Sequence, residues 1–183
     1  IILLFPFFII ISFLIKLTSK GSIFVSLKRV GKRGKLFNIY KFRSMIKDAH
    51  KIKKDIMDKN ERSDGPLFKI KNDPRITKIG RFLRRYSIDE LPQLFNVIKG
   101  EMSLVGPRPH EPEEVNEYKK GYKRLLTISP GISGLAQVSG RSNLVFSEEA
   151  KLDILYIENW ALLLDLIILI KTIKVIFKNE GCY

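Results

Sequence analysis

The chain opens on fifteen residues, Ile1–Ile15, that carry no charge; only Pro6 and Ser12 interrupt an aliphatic and aromatic run. A helix that crosses a bilayer needs about 20 apolar residues, whereas shorter runs serve as re-entrant, interfacial or core segments. No basic leader and no small-residue cleavage site precede Lys16, so the pattern of a secretory signal is missing. A buried core helix remains open, given Phe5, Phe7, Phe8 and Phe13. Pro6 removes a backbone donor and predicts a kink in any helix through the run, so that the segment dips into one leaflet and returns. The first residue is Ile rather than Met, and an upstream portion would lengthen the run.

Charge follows directly behind. From Lys16 to Asp55 there are thirteen Lys/Arg and two acids, Asp48 and Asp55, within a 183-residue chain whose net charge is +14. Basic clusters beside a membrane segment gain about 1 kcal/mol per Lys/Arg at an anionic leaflet. The positive-inside rule then places the following domain in the cytoplasm; a solvated basic face is the alternative. The length fits one domain, and 45% hydrophobic with 28% charged residues fits a folded chain. The single cysteine, Cys182, cannot form an internal disulfide, and His50 and His110 match no zinc spacing.

The pattern predicts an α+β, predominantly helical fold: a re-entrant membrane helix over residues 1–20 and a small cytoplasmic, membrane-associated domain over 21–183. Ser22–Ser26 and Leu36–Phe42, joined by the Gly31–Gly34 turn, read as a β-hairpin. Helical spacing marks Met45–Met57, a basic helix Thr77–Tyr86 with Ile79, Phe82 and Leu83 inward, Leu94–Ile98, Glu113–Leu126, Glu148–Asn159 and Ala161–Lys178. Gly106–Pro109 and Ser129–Gly134 read as rigid loops. In the last helix Lys171, Lys174 and Lys178 run opposite Leu166, Leu169, Ile170, Ile173, Ile176 and Phe177. That stripe suits an interfacial helix or packing on the core; Asp165 sits on the apolar side.

No Walker A, G-x-G-x-x-G or Gly-x-Ser-x-Gly pattern occurs, which leaves carboxylates and basic side chains as the reactive set. Asp89-Glu90 is the sharpest pair. Ser87-x-x-Glu90 has capping-box spacing, but Ser87 as N-cap would set Pro92 against the Ile88 carbonyl; Asp89 as N-cap avoids the clash. A helix start, with Arg81, Arg84 and Arg85 nearby, predicts that both carboxylates are ionised at neutral pH. An ionised Asp beside a metal-held phosphate is a competent phosphoryl-transfer nucleophile; ordinary helix capping is the plainer reading. Arg108, pinned between Pro107 and Pro109, is suited to clamp a phosphate or to stiffen a turn. Arg43 and Arg141 either bind phosphate or are solvated.

Tyr40–Met45 (YKFRSM), Asn72–Pro109, Pro130–Arg141 (PGISGLAQVSGR) and Leu152–Trp160 (LDILYIENW) resemble the monotopic bacterial phosphoglycosyl transferases. These are the polyprenyl-phosphate sugar-1-phosphate transferases that start cell-envelope polysaccharide assembly. The resemblance implies a re-entrant N-terminal helix broken at a proline, matched by Pro6, with Phe5 where many members carry Ser. It implies Asp89 as nucleophile toward a UDP-sugar, Glu90 as ligand of Mg2+, and Arg108 and Arg141 as phosphate-binding residues, with Arg43 in the basic position of the Lys-Phe-[Lys/Arg] motif. Partners so implied are a UDP-sugar, polyprenyl (undecaprenyl) phosphate and anionic lipids of the inner membrane, with the catalytic domain on its cytoplasmic face. The ending Asn179–Tyr183 resembles the Gly-Ala-Tyr close of larger members. A catalytically silent basic membrane scaffold is one rival. A nucleic-acid-binding module is another, disfavoured because the aromatics concentrate in the N-terminal run rather than among the basic residues. The sugar and the oligomeric state are not legible.

Overall fold

A computed structural model describes residues 4–61, 65–68, 70, 72–140 and 144–178. It is a mixed α+β fold, mostly helical, with two small two-stranded sheets. The apolar run forms α1, Phe5–Thr18. Pro6 lies in its first turn, where the missing N–H would have no helical partner, so the expected kink does not interrupt the helix and α1 runs on to Thr18. Phe8, Ile11 and Ile15 are buried against Phe42 and Leu83, and the Phe8 and Phe42 rings meet edge to face at 5.1 Å. The opposite face, with Phe5, Ile9, Ile10, Phe13 and Leu17, is exposed. Among the described residues no helix is long and apolar enough to cross a membrane.

The hairpin forms with strands β1, Phe24–Val30, and β2, Leu36–Phe42, antiparallel in the register Phe24↔Phe42. Its first strand runs four residues beyond the sequence reading. The next helix starts late, as α2, Ala49–Asp55. Met45 instead bridges Ile76 and Asp48 turns left-handed at φ 59°, which removes both from the helical run. Then comes α3, Lys78–Arg85, whose N-cap Thr77 accepts from the Gly80 N–H at 2.9 Å. A Cβ at Gly80 would lie 1.8 Å from the Ser44 carbonyl oxygen, so only glycine lets α3 approach the chain leaving β2. Leu83 faces inward as expected, but Phe82 is exposed and tilts against Tyr86.

A 3₁₀ segment, Ile88–Gln93, leads into α4, Leu94–Ile98. Ser87 stands at the N-cap position, but left-handed at φ 54° and without a side-chain cap bond, and Asp89 lies inside the 3₁₀ turn. The tighter winding removes the clash that Pro92 would suffer in an α-helix. Asn96 anchors α4 to the hairpin. Completely buried, it accepts from the Tyr40 N–H (3.1 Å) and donates to the Asn38 carbonyl and to Glu101 (both 2.7 Å).

Strand β3, Ser103–Val105, just before the Gly106–Pro109 loop, pairs in parallel with β4, Gly131–Ser133, inside the Ser129–Gly134 segment read as a loop. The predicted Glu113–Leu126 helix is two pieces, α5, Pro112–Asn116, and a 3₁₀ stretch, Lys120–Leu126, because Lys119 is extended at ψ 153°. After α6, Leu135–Ser139, come α7, Phe146–Glu158, and α8, Leu162–Lys178. Ile168 of α8 is fully buried with Val105 and Tyr156, and Asp165 accepts from the Tyr156 hydroxyl (2.7 Å) and the Trp160 indole (3.3 Å). One edge of the helix thus packs on the core, while Leu162, Leu163, Leu166, Ile167, Ile170 and Phe177 remain exposed.

Candidate active site

The 3₁₀ segment lies across β2, and this crossing places two adjacent carboxyls differently. Asp89 is only 6% exposed. Glu90 reaches Lys41 of β2, Oε1 to Nζ 2.6 Å, and lies 3.6 Å from Nη1 of Arg108. Burial raises the Asp89 pKa, against the opposing attraction of Lys41 and, more weakly, of Arg84 and Arg108; the Glu90 charge adds to the rise. Desolvation thus outweighs the arginines of α3 at Asp89 and shifts its pKa up rather than down. The Arg108 guanidinium is held firmly charged, chiefly by Glu90.

Arg108 is half-exposed at its side chain but fixed along its backbone on both sides. The Pro107 carbonyl accepts from the Gly131 N–H (2.9 Å), and the His110 carbonyl from the Val30 N–H (3.0 Å). His110 is buried and hydrogen-bonds to the Tyr118 hydroxyl through Nδ1. A Cβ at Gly131 would fall 2.1 Å from the Gly106 nitrogen, and one at Gly134 2.3 Å from the Gly106 oxygen. The Gly-Pro-Arg-Pro and Pro-Gly-Ile-Ser-Gly backbones are thus in direct contact. Asp153 of α7 closes this region from behind. It accepts backbone hydrogen bonds from Ala136 and Arg108, and burial pushes its pKa up to about 7.

Asp89, Glu90 and Arg108 are brought together, then, and Lys41 joins them. Arg43 is not with them. Its Nη2 donates to the Ser19 carbonyl (2.8 Å) and hydroxyl (2.7 Å), tying the end of α1 to the hairpin. Arg141 lies outside the described residues. Lys41 was missed although it sits in the YKFRSM motif; its signal is strand alternation, which sets it on the side of β2 opposite the buried Phe42. Arg29, Lys41, Glu90, Gln93, Arg108 and Gly131 border a cleft of ≈ 10 Å³, room for about one water.

Residues 1–179 match the family described as bacterial sugar transferase. The chain belongs to that family. Over 162 residues it is 49% identical to the galactosyl transferase CpsE of Streptococcus agalactiae serotype III, covering 88% of this chain and 36% of the relative. It is 47% identical over 159 residues to the undecaprenyl-phosphate galactose phosphotransferase of Salmonella typhimurium, covering 85% and 33%. Identity to the exopolysaccharide production protein ExoY of Sinorhizobium fredii is 38% over 185 residues, covering 100% and 82%. The chain thus spans about a third of the first two relatives and most of the third. The sugar transferase family match reaches across α1 as well as the folded body, so the apolar helix and the carboxyl pair belong to one family unit.

Among the described residues no group of three or more His, Cys, Asp or Glu gathers as a metal cage. Magnesium is commonly held by one or two carboxylates, with substrate phosphates and water completing the shell. Glu90, an oxygen donor beside Lys41 and Arg108, fits that mode.

Proposed function

We propose that this chain transfers a sugar 1-phosphate from a UDP-sugar to undecaprenyl phosphate at the cytoplasmic face of the inner membrane. The observation that carries the reading is the buried Asp89 carboxyl, flanked by Glu90 and faced by Lys41 and Arg108. The printed names of relatives at 47% and 39% identity, an undecaprenyl-phosphate galactose phosphotransferase and a UDP-glucose:undecaprenyl-phosphate glucose-1-phosphate transferase, support the donor and acceptor classes.

An Asp89 oxygen attacks the phosphorus that bears the sugar, the bond from that phosphorus to the bridging oxygen breaks, and UMP leaves with the electron pair. An oxygen of the lipid phosphate then attacks the same phosphorus. The Asp89 carboxylate is the leaving group, and polyprenyl diphospho-sugar is the product. Arg108 and Lys41 bind the phosphate oxygens and offset charge as each bond breaks. Lys41 exchanges its contact with Glu90 for one with phosphate. Bound at Glu90, Mg2+ would supply further charge neutralisation on the diphosphate. Arg141 serves as a second phosphate partner in this reading. Arg43 contributes by holding α1 in place, and α1 itself, with Pro6 at its start, is the segment that sits in the leaflet.

The test is UMP release from a UDP-sugar panel in the presence of magnesium. Asp89→Asn is expected to abolish release and lipid product alike. Turnover retained in that variant would remove Asp89 from the nucleophile's role. A silent membrane scaffold would release no UMP from any donor.

A further inference from the structure

We propose that the groove between α4, β3 and α8 holds the first isoprene units of the lipid acceptor's hydrocarbon tail; this rests on the transfer reaction above. The groove has a volume of ≈ 340 Å³, with walls from Val97, Met102 and Val105 on one side and Leu162, Leu166 and Leu169 on the other. Its polar lining is Ser103, Ser129 and Asp165, the last already engaged by Tyr156 and Trp160. Its surroundings continue the exposed apolar surface: Ile98, Leu104, Leu162 and Leu166 are 72%, 44%, 69% and 50% exposed.

Placement ties this groove to the reaction. The β3–β4 ribbon forms the partition between two spaces. Ser103 and Val105 of β3 line the groove, while Gly131 and Ile132 of β4 line the cleft beside Glu90 and Arg108. Ser103 is paired with Gly131, and neighbouring strands lie about 4.8 Å apart. Val105 and Arg108 are three residues apart, a reach of at most about 11 Å. The Arg108 backbone therefore lies within about 11 Å of the groove's Val105 wall. A helix of another segment, about 10–12 Å across, is too bulky for a groove of ≈ 340 Å³. An extended hydrocarbon chain fits, and such a volume sits at the lower end of small-ligand sites, roughly 300–1,000 Å³.

The experiment uses the full chain in detergent with a polyprenyl phosphate carrying a photoreactive diazirine on its first isoprene unit. Crosslinks are expected on β3 and α8 peptides, competed by unlabelled polyprenyl phosphate and not by phosphatidylglycerol. Leu166→Trp, which fills the groove from an exposed position, should raise the KM for polyprenyl phosphate about tenfold, from the loss of a few methylene contacts. Acceptor-free UMP release should stay at the wild-type level, which also reports that the variant is folded. Crosslinks confined to α1, or competition by phosphatidylglycerol, would overturn the tail site while leaving the transfer reaction standing. An unchanged KM in Leu166→Trp would overturn it too. Absence of UMP release from the wild-type chain would instead strike the transfer reaction itself.

Discussion

Asp89 is held where a carboxylate is costly, and the cost has a readable sign. Its folded-state pKa lies above the ordinary 3.8 because of burial. Stability from this group is therefore full below the unfolded value and is lost as pH rises through the folded one. Asn cannot ionise, so Asp89→Asn should melt higher than the wild type at pH 8, by about 2–4 °C for each kcal/mol relieved. At pH 3.5 the two should melt together. Differential scanning calorimetry across that range checks it; equal melting at both ends would mean that the folded carboxyl is not strained by ionisation. Such a cost to the fold accords with the nucleophile's role proposed for Asp89, since stability is commonly traded for activity at active sites.

Among elements, the crossing of β2 by the 3₁₀ segment and α4 does most to assemble the site, and Asn96 fastens it. Asn96→Ala would leave the Tyr40 N–H and the Asn38 carbonyl without their side-chain partner, at about 2–4 kcal/mol in urea unfolding. Loss of UMP release should accompany the destabilisation; a change below about 0.5 kcal/mol would show that the crossing does not depend on this side chain. The hairpin, α3, α7 and α8 were legible because hydrophobic period and turn residues agree there. The 3₁₀ turn at Asp89 was not, since it answers to Pro92 and to packing on β2 rather than to the capping pattern at Ser87. The β3 and β4 strands, three residues each, are too short for alternation to register. Arg43 was expected at the site and Lys41 was not singled out, because motif position carries no direction; only the paired hairpin shows Arg43 bound to Ser19 and Lys41 to Glu90. The carboxyl pair and Arg108 could be singled out in the sequence as candidates, and lie side by side in the structure, because their pattern is local: two adjacent acids, and an arginine locked by prolines.

Across the whole molecule, exposed apolar side chains gather on α1 and α8, and the chain carries a net +14. That combination predicts binding to anionic lipid. Co-sedimentation with vesicles containing phosphatidylglycerol should exceed that with neutral vesicles and weaken as salt is raised. Ile170→Glu combined with Phe13→Glu should lower binding about tenfold or more; unchanged binding would place the membrane contact elsewhere. Arg43 gives this surface a mechanical link to the site, since the strand that carries Lys41 also holds the end of α1 through Ser19.

The account stands on a covalent bond at Asp89. Intact-mass spectrometry of the chain mixed with magnesium and a UDP-sugar, without lipid acceptor, reads that bond directly. The prediction is a mass gain equal to one phospho-sugar, mapped to the Asp89 peptide, absent in Asp89→Asn and discharged by polyprenyl phosphate. Product formation with no such adduct under any donor, or an adduct on another residue, would contradict it.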